Sequence, residues 1–142
     1  MQSGAEPRWE HFPHVADMGV RGYGRSAAEA FEQAALGLTA VIIDPALVKA
    51  RTPVAIECEA PDLEFLFFDW LNELLFLLDT ERWLLARFDI ALDEHSLRAE
   101  CWGERIDEQR HELHGEVKAI TYHQLKVVHQ ADGWLAEVIL DI

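Results

Sequence analysis

The 142-residue chain is 50% hydrophobic, the size of one ordinary domain able to close around a single core. With 12 Lys and Arg against 26 Asp and Glu its formal net charge is −14. Such a surface repels phosphate backbones, which argues against direct nucleic-acid binding, and attracts cations or basic protein surfaces.

Residues 1–8 show no periodicity and are expected to form a flexible N-terminus, with one domain over 9–142. Trp9 to Phe12 and Gly19 to Tyr23 alternate as two short strands, and Pro13 to Met18 reads as an irregular loop between them, carrying His14 and Asp17. Ser26-Ala27-Ala28-Glu29 is a capping box, with the Ser26 hydroxyl on the Glu29 amide and the Glu29 carboxylate reaching back to the cap amide. The helix it opens carries Ala30, Phe31, Ala34, Leu38, Val41 and Ile42 on one stripe and stops at Asp44-Pro45.

Thr52 to Ala60 follows as a strand, with Val54, Ile56 and Cys58 on one face. Pro61-Asp62 then starts a second helix that runs to about Glu81, its apolar arc made by Leu63, Leu66, Phe67, Trp70, Leu71, Leu74, Leu75 and Leu78. The opposite wedge of Asp62, Asp69, Asn72, Glu73 and Asp79 also holds Phe65 and Phe76, the mark of a second buried layer or of a partner contact. Beyond Glu81 the period becomes two, over Leu85 to Leu92, Ser96 to Trp102, Glu116 to Thr121, Gln124 to His129 and Trp134 to Leu140. Asp93-Glu94-His95 and Ala131-Asp132-Gly133 read as hairpin turns, and Gly103 to Gly115 as a polar loop. The expected fold is α+β: a single domain with a mostly antiparallel sheet and two main helices.

Neither Cys58 nor Cys101 has a CxxC partner, so zinc and thiol-redox roles lack support and both are expected to be buried free thiols. No basic stretch leads into an apolar run at the start, and the longest apolar run, Leu74 to Leu78, is too short to cross a bilayer. A soluble cytoplasmic protein without a membrane partner is the expectation. No glycine-rich phosphate loop, nucleophile elbow or His-Glu-x-x-His helix is present.

The last strand ends in Asp141-Ile142, which sets an acidic side chain beside the carboxylate of the final residue. Two carboxylates one residue apart can grip a hard cation, and Asp17 with His14 offers a third carboxylate and an imidazole. Taken alone, Asp17 reads more simply as an Asx turn and His14 as a hydrogen-bonded structural residue. Oxygen donors favour Ca²⁺ or Mg²⁺ over zinc or copper.

Four segments together resemble the archease family: His14-Val15-Ala16-Asp17-Met18-Gly19-Val20, Asp69-Trp70-Leu71-Asn72-Glu73-Leu74-Leu75, Glu116-Val117-Lys118-Ala119-Ile120-Thr121-Tyr122-His123, and Val138-Ile139-Leu140-Asp141-Ile142. The first usually reads His-Thr-Ala-Asp in that family, so Val15 is a departure. The resemblance implies a fold of strand-helix-strand-strand units and a non-enzymatic accessory of the RtcB-type RNA ligase in tRNA splicing, promoting guanylylation and turnover and broadening nucleotide use. It also implies a divalent metal held by Asp17, Asp141 and Ile142, with Ca²⁺ first and Mg²⁺ or Mn²⁺ as alternatives. His14, Lys118 and His123 become a second tier facing the ion or the partner, Lys118 from a half-buried strand. The rival readings are a small metal-dependent hydrolase built on His14, Asp17, His123 and Asp141, and a general holdase chaperone built on the aromatic-rich second helix.

Overall fold

The computed structural model describes residues 6–142. Of the N-terminal segment expected to be flexible, residues 1–5 lie outside the described residues, whereas Arg8 already belongs to the first strand, β1 (Arg8–His14). Its guanidinium lies 3.8 Å from the centre of the Tyr23 ring, and cation–π attraction extends the ladder one residue before the apolar pattern begins.

β1 turns into β2 (Asp17–Gly24) through only two residues, Val15 and Ala16, since His14 pairs with Asp17. This corrects the expected loop: His14 and Asp17 close an antiparallel ladder, and the irregularity shrinks to Ala16 at φ 61. Pro13 disguised the strand, but on β1, the outermost strand of its sheet, a missing N–H costs no ladder bond.

Helix α1 (Ala27–Ile42) starts on Ser26, whose hydroxyl accepts from the Glu29 amide as expected. The Glu29 carboxylate accepts from the Arg25 amide, one residue before the cap, because the same carboxylate also pairs with the Arg25 guanidinium. A short 3₁₀ turn, Pro45–Leu47, leads to β3 (Thr52–Glu59), and the Asp62 side chain caps α2 (Leu63–Glu81) by accepting from Phe65 N–H. Trp70 is fully buried, and its indole N–H donates to the Phe31 carbonyl of α1 at 3.0 Å.

The chain continues through β4 (Trp83–Leu92), β5 (Ser96–Arg105), β6 (Ala119–Ile120), β7 (Lys126–Gln130) and β8 (Gly133–Asp141). All strand pairs among the described residues are antiparallel, in two sheets. One has the order β1-β2-β8-β6 with β7 also on β8; the other has β3-β5-β4. The segment β3-α2-β4-β5 is one of the expected strand-helix-strand-strand units.

Two expectations fail locally. Gly103, Glu104 and Arg105, assigned to a loop, belong to β5. A bulge in β4 brings the Leu84 carbonyl over Gly103 so closely that any Cβ would overlap it, and glycine keeps the strand intact where the pattern seemed to stop. Conversely, Glu116 to Thr121 supplies only the two residues of β6, and Lys118 precedes it, exposed rather than in a half-buried strand. The end of β8 offers this segment only a short partner: Ala119 and Ile120 pair with Asp141 and Leu140.

Candidate metal centre

β8 organises the site because it lies between neighbours on both edges, β2 on one and β6 with β7 on the other. Burial on both faces explains its unbroken run from Leu135 to Leu140, all of it buried. Val20 and Gly22 of β2 lie against α1, so the even positions of β2, and of β8 opposite them, face that helix. Odd positions face away.

Met18 pairs with Leu140, and the same register carried one step further sets Asp17 opposite Asp141. His14 pairs with Asp17 on the other side, and Ala119 pairs with Asp141 beyond. The end of the sheet thus presents a row across four strands, His14–Asp17–Asp141–Ala119, on the face away from α1. The His14 Nδ1 lies 3.8 Å from an Asp17 carboxylate oxygen, too long for a hydrogen bond. Among the described residues no Lys or Arg side chain comes within 4 Å of either aspartate.

Like charges opposed across an antiparallel pair destabilise it, and two carboxylates that no Lys or Arg side chain pairs with are what a cation would relieve. The donor set fits a hard divalent ion. Ile142 follows Asp141 directly, so its main-chain oxygens are the next donors along the chain. His14 is not drawn in as a third side-chain ligand: among the described residues no three His, Cys, Asp or Glu side chains converge on a metal's reach. The four residues of the hydrolase reading are therefore not assembled.

The second-tier residues divide. The Lys118 N–H donates to the Asp141 carbonyl at 2.7 Å, which fixes the last turn of chain beside β8, and its side chain lines a groove with Ala16, Met18, His114 and Ile142. His123 sits on the turn after β6, its carbonyl accepting from Ile139 N–H at 3.0 Å, two residues short of Asp141. It borders the row without joining it.

Comparison with known proteins decides which family this architecture represents. The sequence model of the archease protein family (MTH1598/TM1083) matches residues 9–142. The chain belongs to the archease family. It is 41% identical over 140 residues to the protein archease of Pyrococcus furiosus, covering 95% of this chain and 99% of that one. The solution structure of Methanobacterium thermoautotrophicum protein 1598 superposes with a TM-score of 0.84 at 38% identity, covering 94% of this chain and 98% of that one. The crystal structure of an archease, described as a possible chaperone, from Thermotoga maritima gives a TM-score of 0.57 at 20% identity, covering 94% and 96%, and speaks to the fold alone.

Two charged clusters of this archease lie outside the sequence reading. On the face that carries Asp17 and Asp141, Arg21 donates to Glu137 and to Glu10, the Tyr23 hydroxyl donates to Glu10 at 2.7 Å, and Arg21 stacks on Phe12. The Tyr23 hydroxyl and Arg21 hold the Glu10 carboxyl below its usual value against the opposing effect of burial. Glu137, buried in an apolar strand, was the available signal, since a lone acid there demands a partner.

The second cluster pins the loop from Ile106 to Lys118. Glu104 accepts from Arg110, from the Lys49 amide at 2.8 Å and from the His111 ring at 2.9 Å. His111 Nδ1 accepts from the Asp107 amide at 2.9 Å, so the ring proton sits on Nε2. Burial pushes the Glu104 carboxyl up, but the Arg110, Lys49 and His111 bonds outweigh it and leave the pKa at about 2. Cys58 and Cys101 are buried and free, and burial pushes their thiols up to about 11 and about 12, which leaves them inert near neutrality. Among the described residues no helix is long and apolar enough to cross a membrane.

Proposed function

We propose that this protein is a non-enzymatic, metal-binding activator of an RtcB-type RNA ligase in tRNA splicing, promoting ligase guanylylation and repeated turnover and broadening its nucleotide use in the cytoplasm. Membership of the archease family supports the reading, and the observation that carries it is the pair Asp17 and Asp141, set opposite each other by the register of β2 on β8, with no Lys or Arg side chain within 4 Å of either among the described residues. Asp17, Asp141 and the main-chain oxygens of Ile142 would hold Ca²⁺, or Mg²⁺ or Mn²⁺ in its place. The ion supplies concentrated positive charge that can organise phosphate or carboxylate oxygens during nucleotide loading. The protein's own part is positional: the ladder from β1 through β2 to β8 fixes the spacing of both carboxylates, and the Lys118 amide holds the Asp141 backbone.

The test is to add sub-stoichiometric protein to a reaction of the purified ligase with GTP and Mn²⁺. The proposal expects the ligase to pass from a single round to repeated turnover, and Asp141→Ala protein to lose that effect. A ligase that stalls equally with and without the protein contradicts it. Exposure of Phe65 and Phe76 supports the holdase chaperone as second reading, which expects suppressed aggregation of an unrelated unfolding client at stoichiometric ratios.

A further inference from the structure

Helix α2 buries one side against the core and leaves the other with an unusual composition. Its charged residues are Glu64, Asp69, Glu73, Asp79 and Glu81, without a single base. Phe65 and Phe76 are 44% and 56% exposed. Eleven residues separate them, so they stand about 20° apart around the helix and roughly 16 Å apart along it. One exposed Phe on a surface needs no explanation, but two aligned on one helix face are a stripe.

A third aromatic residue widens it. Tyr122, 63% exposed, stacks on Phe68 of α2 at 4.2 Å between ring centres and meets Phe65 edge-on at 6.3 Å. These contacts tie the turn after β6 to the helix. Tyr122 is three residues from Ala119, at most about 11 Å along the chain, and Ala119 pairs with Asp141.

We infer that the outer face of α2, with Tyr122, is a docking surface for a partner protein whose own surface presents Lys and Arg around apolar pockets. Charge decides the occupant. In a chain of net charge −14, a second copy would set this all-acidic face against acidic groups of its own, and a nucleic acid would be repelled. Aromatic side chains supply contact area at low entropic cost, and the flanking carboxylates steer a basic surface and set the register. The inference deepens the proposed function by naming the surface that meets the ligase, and rests on that reading only for the first protein to be tried.

Calorimetry with the purified RtcB-type ligase compares the parent with the double variant Phe65→Ala/Phe76→Ala, which opens no cavity in the core and is checked for an unchanged melting temperature. The expected result is at least a tenfold weaker Kd for the double variant than for the parent. Undiminished binding by the double variant overturns the inference. If the parent does not bind the ligase, the proposed function fails, and a separate arm decides the surface: fluorescent amphipathic helical peptides, one of Lys and Leu and one of Glu and Leu. The inference expects salt-sensitive binding of the Lys peptide to the parent and its loss in the double variant. Equal retention by both proteins, or no preference for the Lys peptide over the Glu peptide, overturns it.

Discussion

Trp70 shows what one side chain does for this fold. It fills the space between α2 and α1, meets Phe88 edge-on at 5.7 Å and satisfies its only polar atom on the Phe31 carbonyl, so it buries a large ring without an unpaired donor. Trp70→Ala is expected to cost about 3–5 kcal/mol and to lower Tm by more than about 8 °C; a variant melting within two or three degrees of the parent would refute the assignment. Glu104 makes a pH-dependent contribution. Its folded pKa of about 2 lies below the usual 4.5, so its clasp on Arg110, Lys49 and His111 is fully present above pH 4.5 and is lost as the pH falls through about 2. Glu104→Gln should be less stable than the parent at neutral pH, and the gap should close as melting is followed from pH 4.5 downward. A gap constant across that window would show that the carboxylate is not the stabilising species. That the β2 and β8 ends bring Asp17 and Asp141 together follows from the register of two strands, of which the sequence shows only the alternation. Glu104 was not legible either, because its partners come from Lys49, Arg110 and His111, a set that periodicity cannot bring together.

At the scale of elements, the helices were the most legible because their caps and stripes are local. Ser26, Asp62 and the apolar arc of α2 behave as the sequence suggests. The strands were legible as a period of two but not in their partition into two sheets, which depends on how α1 meets them. Along the free edge of β4, the Thr39 hydroxyl donates to the Leu85 carbonyl at 2.7 Å and the Glu32 carboxylate accepts from the Ile90 amide at 2.9 Å. Two side chains seven residues apart on one helix thus protect a sheet edge that sequence alone leaves open. Against the other sheet, α1 approaches so closely that a Cβ on Gly22 would overlap the Ala30 carbonyl oxygen and the Ala34 amide, both backbone. Backbone cannot rotate away. Gly22→Ala should therefore destabilise by about 1–3 kcal/mol or more, measured by denaturant midpoint at unchanged m-value; a neutral result would mean that α1 can slide on β2.

For the molecule as a whole, the excess of negative charge and the paired carboxylates at one end of the sheet make the same demand for a cation. Without metal, Asp17→Ala and Asp141→Ala each remove one of two opposed like charges, so both variants should melt at or slightly above the parent temperature. Clear destabilisation of either would show that the carboxylates serve the ladder itself. A segment appended after Ile142 should impair ion binding as the aspartate variants do, because it crowds the same corner of the sheet. The most direct measurement of the central claim is a calorimetric titration of Ca²⁺ into metal-free parent, Asp17→Asn and Asp141→Asn proteins. Saturation near one ion per parent chain is predicted, with each substitution weakening affinity by about tenfold or more, equivalent to 1.4 kcal/mol. Unchanged affinity in both variants, or no heat of binding in the parent with Ca²⁺, Mg²⁺ or Mn²⁺, would contradict it.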